Sequence, residues 1–401
     1  MEFLRKITAL LLIGGSCFLN LNAQNTDWAT KQRNIQNFAL TLSSGEDSLS
    51  YSYFSLGVTG HYNQLKGLGI NLLANHSNRD MAGMMLSSMV NIAGRNSQGI
   101  AISGIANVSS KQMNGMNLSG LMNISGSSMT GMQISGIGNI SGTAFNGITA
   151  GGLINLSGTN NNGIIVSGIA NITGKDLNGI ALSGLMNVSG ENANGVQISG
   201  LSNITAGKLQ GLQVAALLNI ATQNNGLQIG AVNVAEKIKG LQIGLVNYSR
   251  DTTGHKIGLV NLTPATRYQL MVYGGNCSKF NVAARFKNRH TYTILGAGTN
   301  YLDFDKKFSA DVFYRAGLWL PLAKRWEISA DGGYVHIETF KNNHLEIPER
   351  MYALQARLNL EFRGADNWGI FASGGYSWTR YYDANRSFEK KPLVELGVVL
   401  F

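Results

Sequence analysis

Histidines and glutamates beside one loop of the C-terminal third are the residues best suited to chemistry. His336 lies just before, and His344 within, a predicted outer loop that also contains Glu338 and Glu346. Imidazole and carboxylate groups so close together could bind a metal ion or act as acid and base in a hydrolase. The same residue types are common on solvated loops, and we favour that simpler interpretation.

The sequence signatures of catalysis are missing from the chain. It has no G-x-S-x-G elbow, no G-x-x-x-x-G-K-[ST] loop, no H-E-x-x-H motif and no cysteine pair at metal-ligand spacing. We therefore predict no catalytic residue, no metal, no cofactor and no enzymatic activity.

Asparagine supplies the most regular polar pattern. An amide side chain both donates and accepts hydrogen bonds, so identical copies stacked in register can bond to one another. We predict a structural ladder of the thirteen asparagines found at the ninth position of thirteen short repeats: Asn75, Asn91, Asn107, Asn123, Asn139, Asn155, Asn171, Asn187, Asn203, Asn219, Asn233, Asn247 and Asn261.

Each of these repeats begins with a glycine, from which we number positions 1 to 16. Ten such glycines, from Gly67 to Gly211, are 16 residues apart, and Gly226, Gly240 and Gly254 follow at spacings of 15, 14 and 14. The unit is G-h-x-h-S-G-h-x-N-h-S-G-x-x-x-N, where h is apolar. This period predicts a parallel β-solenoid, about 60 Å long for thirteen coils.

A meander of short hairpins is the alternative, with Ser-Gly at positions 5 and 6 as a two-residue turn. Residues 226–233 have a single glycine in place of Ser-Gly. That deletion would remove a hairpin turn but only tighten a solenoid corner, so we favour the solenoid. We expect its apolar residues and asparagines to form the core. Positions 12 to 15 hold almost all the charge and should face solvent.

The sequence after Leu262 loses the repeat and gains aromatic residues and long alternating strands. In the segment 352–362, Tyr352, Leu354 and Leu358 share one face with further apolar residues, and Arg357 and Glu361 lie on the other. Such strands are typical of a bilayer-spanning barrel. We predict eight antiparallel strands, near 268–275, 279–287, 290–299, 308–320, 324–337, 350–363, 367–378 and 392–401.

Further features support a barrel in an outer membrane. Connections alternate between long and short, the chain ends on Phe401, and an aromatic girdle is expected from Trp319, Trp326, Trp368, Tyr376 and Trp378. Glu395 interrupts the apolar pattern of the last strand. The alternative is a soluble β-sandwich with one solvent-exposed face.

Four charged residues of these strands should point into the barrel. Glu327, Asp331, Arg357 and Glu361 alternate with the apolar face. Small eight-stranded barrels fill their interior with side chains. We expect an internal salt-bridge network there rather than catalysis.

The barrel can be counted in two ways. If 268–275 is its first strand, the first and last strands of the barrel both have their outer termini in the periplasm, and the solenoid lies there too. If residues 36–43 supply that strand and 268–275 supplies none, the count is still eight, and the solenoid becomes an insertion displayed outside the cell. The sequence leaves both open.

The N-terminus predicts export. Arg5 and Lys6 precede an apolar run, and Leu21-Asn22-Ala23 suits signal peptidase. Lipidation at Cys17 is the less favoured alternative. Cleavage after Ala23 leaves Cys277 as the lone thiol, so no intrachain disulfide is possible. The predicted organisation is a signal peptide (1–23), a segment with one strand (24–52), the solenoid (53–262, of which 53–66 is a degenerate capping coil) and the barrel-like domain (263–401).

Charge excludes one class of partner. The formal net charge is +10, but the segment 83–225 has only four basic and two acidic residues, and most other charge follows residue 262 with both signs mixed. The sequence therefore has no stripe of basic residues of the kind that binds nucleic acid.

Residues 226–233 and 240–248, GLQIGAVN and GLQIGLVNY, resemble the bacterial surface-repeat family whose unit is GLQIGLVN. The match is close over 226–262 and looser over 67–225. The resemblance implies a secreted or outer-membrane protein of a Gram-negative bacterium and assigns no activity. We expect a non-enzymatic outer-membrane or cell-surface protein whose solenoid contacts an envelope polymer or another surface protein. A periplasmic rod and an outer-membrane lipid or ester hydrolase are the alternatives.

Overall fold

The computed structural model describes residues 39–44, 51–251, 254–303, 307–342, 348–365, 367–382 and 387–401. The regular elements in these ranges are all β-strands, β1 to β33, and none of the described residues forms a helix able to cross a bilayer. The chain divides into two compact units with the boundary after Leu241. The predicted signal peptide, residues 1–23, lies outside the described residues.

The first unit is a stack of short parallel strands. Its strands are β1 (Ala39–Ser44), β2 (Tyr51–Tyr62), β3 (Gln64–Ser77), β4 (Met81–Ser87), β5 (Val90–Ala93), β6 (Ser97–Ser103), β7 (Ala106–Ser109), β8 (Met113–Ser119), β9 (Met122–Ser125), β10 (Met129–Ser135), β11 (Gly138–Ser141), β12 (Phe145–Gly151), β13 (Ile154–Ser157), β14 (Asn161–Ser167), β15 (Ala170–Thr173), β16 (Leu177–Ser183), β17 (Met186–Ser189), β18 (Ala193–Ser199), β19 (Ser202–Ala215), β20 (Leu218–Asn224), β21 (Leu227–Ile229) and β22 (Val232–Ile238).

Each repeat forms one coil, and neighbouring coils pair in register. Strand β6 pairs in parallel with β4 and β8, and β7 pairs in parallel with β5 and β9. Asn107 therefore lies opposite Asn91 and Asn123, its copies 16 residues away. The predicted parallel solenoid is confirmed. The hairpin meander is wrong, because neighbouring copies run in the same direction.

The interior of the coil differs from the prediction. Positions 3, 5, 9, 11 and 15 are buried, as at Ala101, Ser103, Asn107, Ser109 and Met113. The apolar positions 2, 4 and 7 point outward instead. Our expectation that the apolar residues form the core is wrong for these three positions. Side chains alternate along a strand, so the face that takes Ser, Ala and Asn inside leaves the larger aliphatic residues outside.

Glycine at position 1 is required by backbone conformation and by space. All ten glycines spaced by 16 have a positive φ, 134° at Gly163. A Cβ at Gly163 would lie 2.1 Å from the carbonyl oxygen of Gly147, one coil earlier. Only glycine combines this conformation with so close an approach of two backbones.

Strands β1 and β2 close the N-terminal end of the stack. β2 pairs in parallel with β3, and β1 pairs antiparallel with β2. An antiparallel strand across the first coil covers an edge that could otherwise recruit another chain. Because β1 lies here, the alternative in which residues 36–43 supply a barrel strand is wrong.

The second unit begins with the last repeat strands and continues as a barrel. Its strands are β23 (Leu241–Ser249), whose first residue lies before the boundary, β24 (His255–Leu262), β25 (Arg267–Gly275), β26 (Phe280–Lys287), β27 (Thr291–Thr299), β28 (Leu302–Asp303), β29 (Lys307–Ala323), β30 (Trp326–Asn342), β31 (Arg350–Arg363), β32 (Trp368–Tyr381) and β33 (Ser387–Leu400).

The barrel is closed and antiparallel. Each of its eight long strands pairs with the next in the chain, and β25 pairs with β33, for example Val272 with Val398. The predicted eight-stranded barrel is confirmed. The soluble β-sandwich is wrong, because closure leaves no sheet edge.

The two ends of the barrel differ in their connections. One end carries the start of β25, the end of β33 and the turns 288–290, 324–325 and 364–367, which are two to four residues long. The other end carries the connections 276–279, 300–306, 343–349 and 382–386, which are four to seven residues long.

We expect Gly163→Ala to lower the free energy of unfolding by more than about 2 kcal/mol, because the new Cβ meets both an unfavourable φ and a carbonyl. Urea unfolding in detergent, followed by circular dichroism, measures the loss. Thr143→Ala, on the exposed edge of the coil that begins at Gly131, is the control and should change stability by less than about 0.5 kcal/mol. Equal midpoints for the two variants would contradict this role of the glycine.

Candidate functional site

The asparagines at position 9 form a column inside the coils, from Asn75 to Asn233 in the first unit and at Asn247 and Asn261 in the second. All are buried except Asn261, which is half-buried. From Asn75 to Asn219 each Nδ2 donates to the Oδ1 of the asparagine in the next coil at 2.8–3.0 Å, and Asn247 donates to Asn261 at 2.9 Å. A buried amide without such partners would cost about 1–3 kcal/mol.

The second proton of each amide satisfies the backbone. Asn155 Nδ2 donates to the carbonyl oxygen of Val166, at position 4 of the next coil, at 2.7 Å. Asn171 and Asn187 make the same bond to Leu182 and Ile198. These carbonyls precede the corner of the coil. The asparagine column therefore joins neighbouring coils and completes the hydrogen bonding of each corner.

A tyrosine ends the column at its N-terminal side. The cap coil has Gly60 opposite Asn75, so no amide is available there. Instead the Tyr62 hydroxyl donates to Asn75 Oδ1 at 2.9 Å, and Asn71 Nδ2 donates to the same oxygen at 2.6 Å. Burial raises the pKa of Tyr62, which keeps the hydroxyl protonated as a donor.

A second asparagine ladder lies on the outside, at position 16. Asn162 Nδ2 donates to Asn146 Oδ1 at 2.8 Å, and Asn178 and Asn194 continue the series at 2.9 and 2.8 Å. The repeat formula already contained this asparagine, but it gave no sign of which asparagine lies inside.

The outer surface of the solenoid separates apolar from charged residues. We call the residues at positions 2, 4 and 7 of the nine coils that begin at Gly83 to Gly211 the apolar rows; all are Ile, Leu, Met, Val or Ala. At position 7 the side chains are 37–55% exposed: Met89, Ile105, Leu121, Ile137, Leu153, Ile169, Leu185, Leu201 and Leu217. The charged residues of 83–225 occupy positions 13 and 14: Arg95, Lys111, Lys175, Asp176, Glu191 and Lys208.

Charged side chains meet inside the barrel, as the alternation predicted. Arg315 Nε and Nη2 donate to the two oxygens of Asp331, both at 2.8 Å, and Arg357 Nε donates to Glu395 at 3.0 Å. Arg315 also lies 3.6 Å from Glu395, and Arg357 lies 3.6 Å from Asp331. The four form one buried cluster.

A second group of charges lies nearer the short-turn end. Arg285 makes two bonds to Glu361, at 2.7 and 3.0 Å, and Glu327 bonds to Lys287 and Arg363. The structure thus places all four predicted interior residues in ion pairs. Their partners Arg315 and Arg285 were not predicted from the sequence. Glu395, which interrupts the apolar pattern of the last strand, faces the interior and pairs with Arg357.

Residues around the His336 loop remain separate from the interior clusters. His336 contacts the Tyr382 hydroxyl at 2.8 Å and Glu338 at 3.2 Å, and Arg350 donates to Glu338 at 3.0 Å. Among the described residues no group of three or more His, Cys, Asp or Glu could hold a metal ion. His344 and Glu346 lie outside the described residues.

A cavity of about 190 Å³ lies at the end with the longer connections. Cys277, Tyr301, Glu389 and Lys391 are among its lining residues. Burial raises the pKa of the Cys277 thiol, which disfavours the nucleophilic thiolate. This cavity therefore offers an uncharged thiol rather than an activated one.

The outer wall of the barrel carries aromatic residues at two levels. Trp326 and Tyr334 in β30, and Trp368 and Tyr376 in β32, are exposed and eight residues apart. At a strand tilt of about 40°, eight residues span about 21 Å, close to the height of the apolar band of such barrels. Trp319 departs from the predicted girdle, because it packs against the interior and donates to the Asn288 carbonyl at 2.8 Å.

Comparisons with known proteins are sparse. No family model and no curated protein matches the sequence. Among the solved structures that match is Neisserial surface protein A (NspA), with a TM-score of 0.21 and 8% identity, over 33% of this chain and 92% of that protein.

We expect Asn155→Leu to destabilise the solenoid by about 2–4 kcal/mol, because buried donors and acceptors in the two neighbouring coils lose their partners. Hydrogen exchange resolved by peptide measures the local loss of protection. Asn162→Leu breaks the same kind of ladder in an exposed position and should cost less than about 1 kcal/mol. Equal effects would contradict the special role of the buried column.

We expect Arg315→Met to destabilise the barrel by about 3–5 kcal/mol, because it leaves Asp331 charged and buried. The temperature at which the folded band disappears on a heat-modifiability gel should fall. Arg350→Met, which removes an exposed ion pair, should leave that temperature unchanged. An unchanged temperature for Arg315→Met would show that the interior cluster does not hold the barrel together.

Proposed function

We propose that this chain is a non-enzymatic outer-membrane protein whose barrel anchors a stiff periplasmic solenoid. The observation that carries the proposal is the asymmetry of the barrel. Its first strand begins, and its last strand ends, at the end with the short turns. In outer-membrane barrels short turns face the periplasm and longer loops face outward.

The last repeat strand supports this side assignment. β24 joins the short-turn end of the barrel, where Asn288 Nδ2 donates to the Asn261 carbonyl at 2.8 Å. Thr266 donates to Asn288 Oδ1 at 2.6 Å. The chain therefore passes from its final coil into the barrel through a bonded corner. If the solenoid were displayed outside the cell, this corner would lie at the end of the barrel that carries the longer connections.

The barrel itself is better suited to anchoring than to transport. Ion pairs and the apolar cluster that includes Met271, Phe313 and Phe371 occupy its interior. Eight-stranded barrels have only enough interior for side chains. The exposed apolar outer wall and its two aromatic levels supply the lipid-facing surface.

The solenoid is suited to presenting the same side chains at a regular spacing, one set for each coil. Its coils are joined by backbone ladders and by the asparagine column, so bending would break many bonds at once. The predicted signal peptide and the resemblance to GLQIGLVN repeats agree with export to the envelope. An envelope polymer or another envelope protein is the kind of partner that such a surface serves. A lipid or ester hydrolase has less support, since the cavity near Cys277 lacks an activated nucleophile.

Cysteine labelling tests the side assignment. In a Cys277→Ser background, Lys279→Cys marks the longer connections, Lys324→Cys marks a short turn and Lys111→Cys marks the solenoid edge. A membrane-impermeant maleimide should label Lys279→Cys in intact cells, and the other two only after the outer membrane is permeabilised. All three side chains replaced are exposed.

The three positions also separate the ways in which the proposal could fail. Labelling of Lys111→Cys and Lys324→Cys in intact cells would place the solenoid outside. Labelling of all three in cells and recovery of the protein in the soluble fraction would rule out the membrane anchor. Folded protein that migrates identically with and without heating would also count against the barrel.

A further inference from the structure

One corner of each solenoid coil is apolar on both of its sides. Positions 6 and 7 form the bend between the two strands of a coil, and positions 2, 4 and 10 point outward from the strands beside it. In the nine coils that begin at Gly83 to Gly211, position 10 is Ile, Leu or Val, and positions 2, 4 and 7 are the apolar rows. Position 8 carries no charge in any of these coils. We call this continuous surface, positions 2 to 10 on the outside of the nine coils, the apolar corner.

The shape of the apolar corner disfavours a single folded partner. Its two faces belong to strands on opposite sides of a coil, and packed sheets lie only about 10 Å apart. A second copy of the chain would cover one face and leave the other in water. A fluid can cover both faces and the bend at once, and the hydrocarbon of a membrane leaflet is such a fluid.

The change from apolar to polar residues falls at a similar level on both faces. On the first face the last apolar row is at position 2, about 13 Å from the bend, and position 16 beyond it is Asn, Gln or Thr from Gln98 to Gln210. On the second face position 10 lies about 10 Å from the bend, and position 13 beyond it is polar, as at Lys111 and Thr159. A planar interface requires this agreement between the faces. Both depths fit within one leaflet, whose hydrocarbon is about 15 Å thick.

The backbone of the bend is also suited to hydrocarbon. Inside a bilayer every peptide N–H group must find a partner within the protein. Leu153 N and Ile154 N, at positions 7 and 8, both donate to the carbonyl oxygen of Ile137 in the preceding coil, at 2.8 and 3.0 Å. From Ile105 to Leu218, every N–H group at positions 7 and 8 donates to the preceding coil in the same way.

The side-chain types match the hydrocarbon rather than the headgroup region. Tryptophan and tyrosine mark the headgroup level of membrane proteins, whereas Ile, Leu and Val favour the hydrocarbon itself. The sequence between Gly83 and Leu217 has no tryptophan or tyrosine, and its charges lie at positions 13 and 14. The charged edge can therefore stay in water while the apolar corner is buried.

We propose that the solenoid lies edge-on in a membrane leaflet, with its apolar corner in the hydrocarbon and its charged edge in water. The inference rests on the proposed function in one respect, namely that the barrel holds the solenoid at a membrane and raises its effective concentration there. Nine coils at about 4.8 Å bring about 43 Å of corner into contact with acyl chains. Positions 12 to 14 and the outer asparagine ladder remain available to a partner in water.

Lipid quenching at four positions of one coil tests the insertion. In a Cys277→Ser background, a bimane fluorophore is attached to the variants Ile148→Cys, Leu153→Cys, Leu156→Cys and Thr159→Cys, at positions 2, 7, 10 and 13. The full chain is reconstituted in vesicles of phosphatidylethanolamine and phosphatidylglycerol, with or without bromine on the acyl chains. Bromine quenches only a fluorophore close to it, so the loss of emission reports contact with hydrocarbon.

We expect the bend to be quenched most and the charged edge least. Leu153→Cys should lose about five times more emission than Thr159→Cys, the matched control in the same coil. Ile148→Cys and Leu156→Cys, on the two faces, should lose similar amounts, both smaller than that of Leu153→Cys. Equal values on the two faces are the result that a planar interface predicts and a partner on one face does not.

Charge placed at the bend should reduce the contact. Ile137→Glu with Ile169→Glu flanks Leu153→Cys in the neighbouring coils and should lower its quenching more than about three-fold, because a carboxylate is costly in hydrocarbon. Ser127→Glu with Thr159→Glu adds the same charge at the same separation on the edge and should leave the quenching unchanged. Far-UV circular dichroism checks that both pairs stay folded.

Several results would overturn the insertion. These are no quenching of Leu153→Cys, equal quenching of Thr159→Cys, or quenching on one face alone. An unquenched Leu153→Cys that is nevertheless shielded from aqueous iodide would show that a second copy covers the corner instead. Each variant is also run on a gel with and without heating. Lost quenching with a heat-modifiable barrel counts against the insertion alone, whereas loss of heat modifiability counts against the proposed function.

Discussion

The hydrogen bonding of buried amides is the constraint on which the solenoid depends. An asparagine inside an apolar core is costly unless both its donor and its acceptor groups are used. Here each amide uses its own copies in the neighbouring coils and a carbonyl at the corner. These bonds exist only when the coils lie in register. The same requirement explains why the repeat length is constant over nine units and why an insertion within a coil would be costly.

The close approach of the coils follows from this arrangement and restricts the rest of the unit. Glycine is needed where backbones meet, serine and alanine suit the narrow interior, and one larger residue such as Phe145 fills the wider end. Larger side chains also fit inside, as Ile165 at position 3 and Phe145 at position 15 show. Because side chains alternate along a strand, the aliphatic residues at positions 2 and 4 lie on the opposite, outer face. The barrel solves the opposite problem, because lipid takes its apolar face and the interior must hold the charges.

Much of this fold was predictable from the sequence, and the failures have physical causes. The strict period predicted the parallel stack, and alternation with closing turns predicted the eight strands to within a few residues. Alternation alone cannot say which face of a strand is inside, so residues such as Ile102 and Ile134 were assigned to the core although they are exposed. The ion-pair partners of Asp331 and Glu361 come from distant strands, and the sequence gives no spacing from which to infer them. Trp319 was assigned to the outer girdle because a strand end does not reveal on which side its last aromatic residue lies.

The direction of the asparagine bonds has one more consequence. From Asn75 to Asn219 each inner amide gives a proton toward the C-terminal end, so the small dipoles of the column add up, as peptide dipoles do in a helix. The outer series from Asn146 to Asn194 runs the other way and opposes this sum. The column of the first unit thus has unlike poles, an oxygen pole closed by Tyr62 at its N-terminal end and an amide pole at its C-terminal end. Any lengthening of the rod by another stack would have to be head to tail, because two like poles would leave their amides facing groups of the same kind.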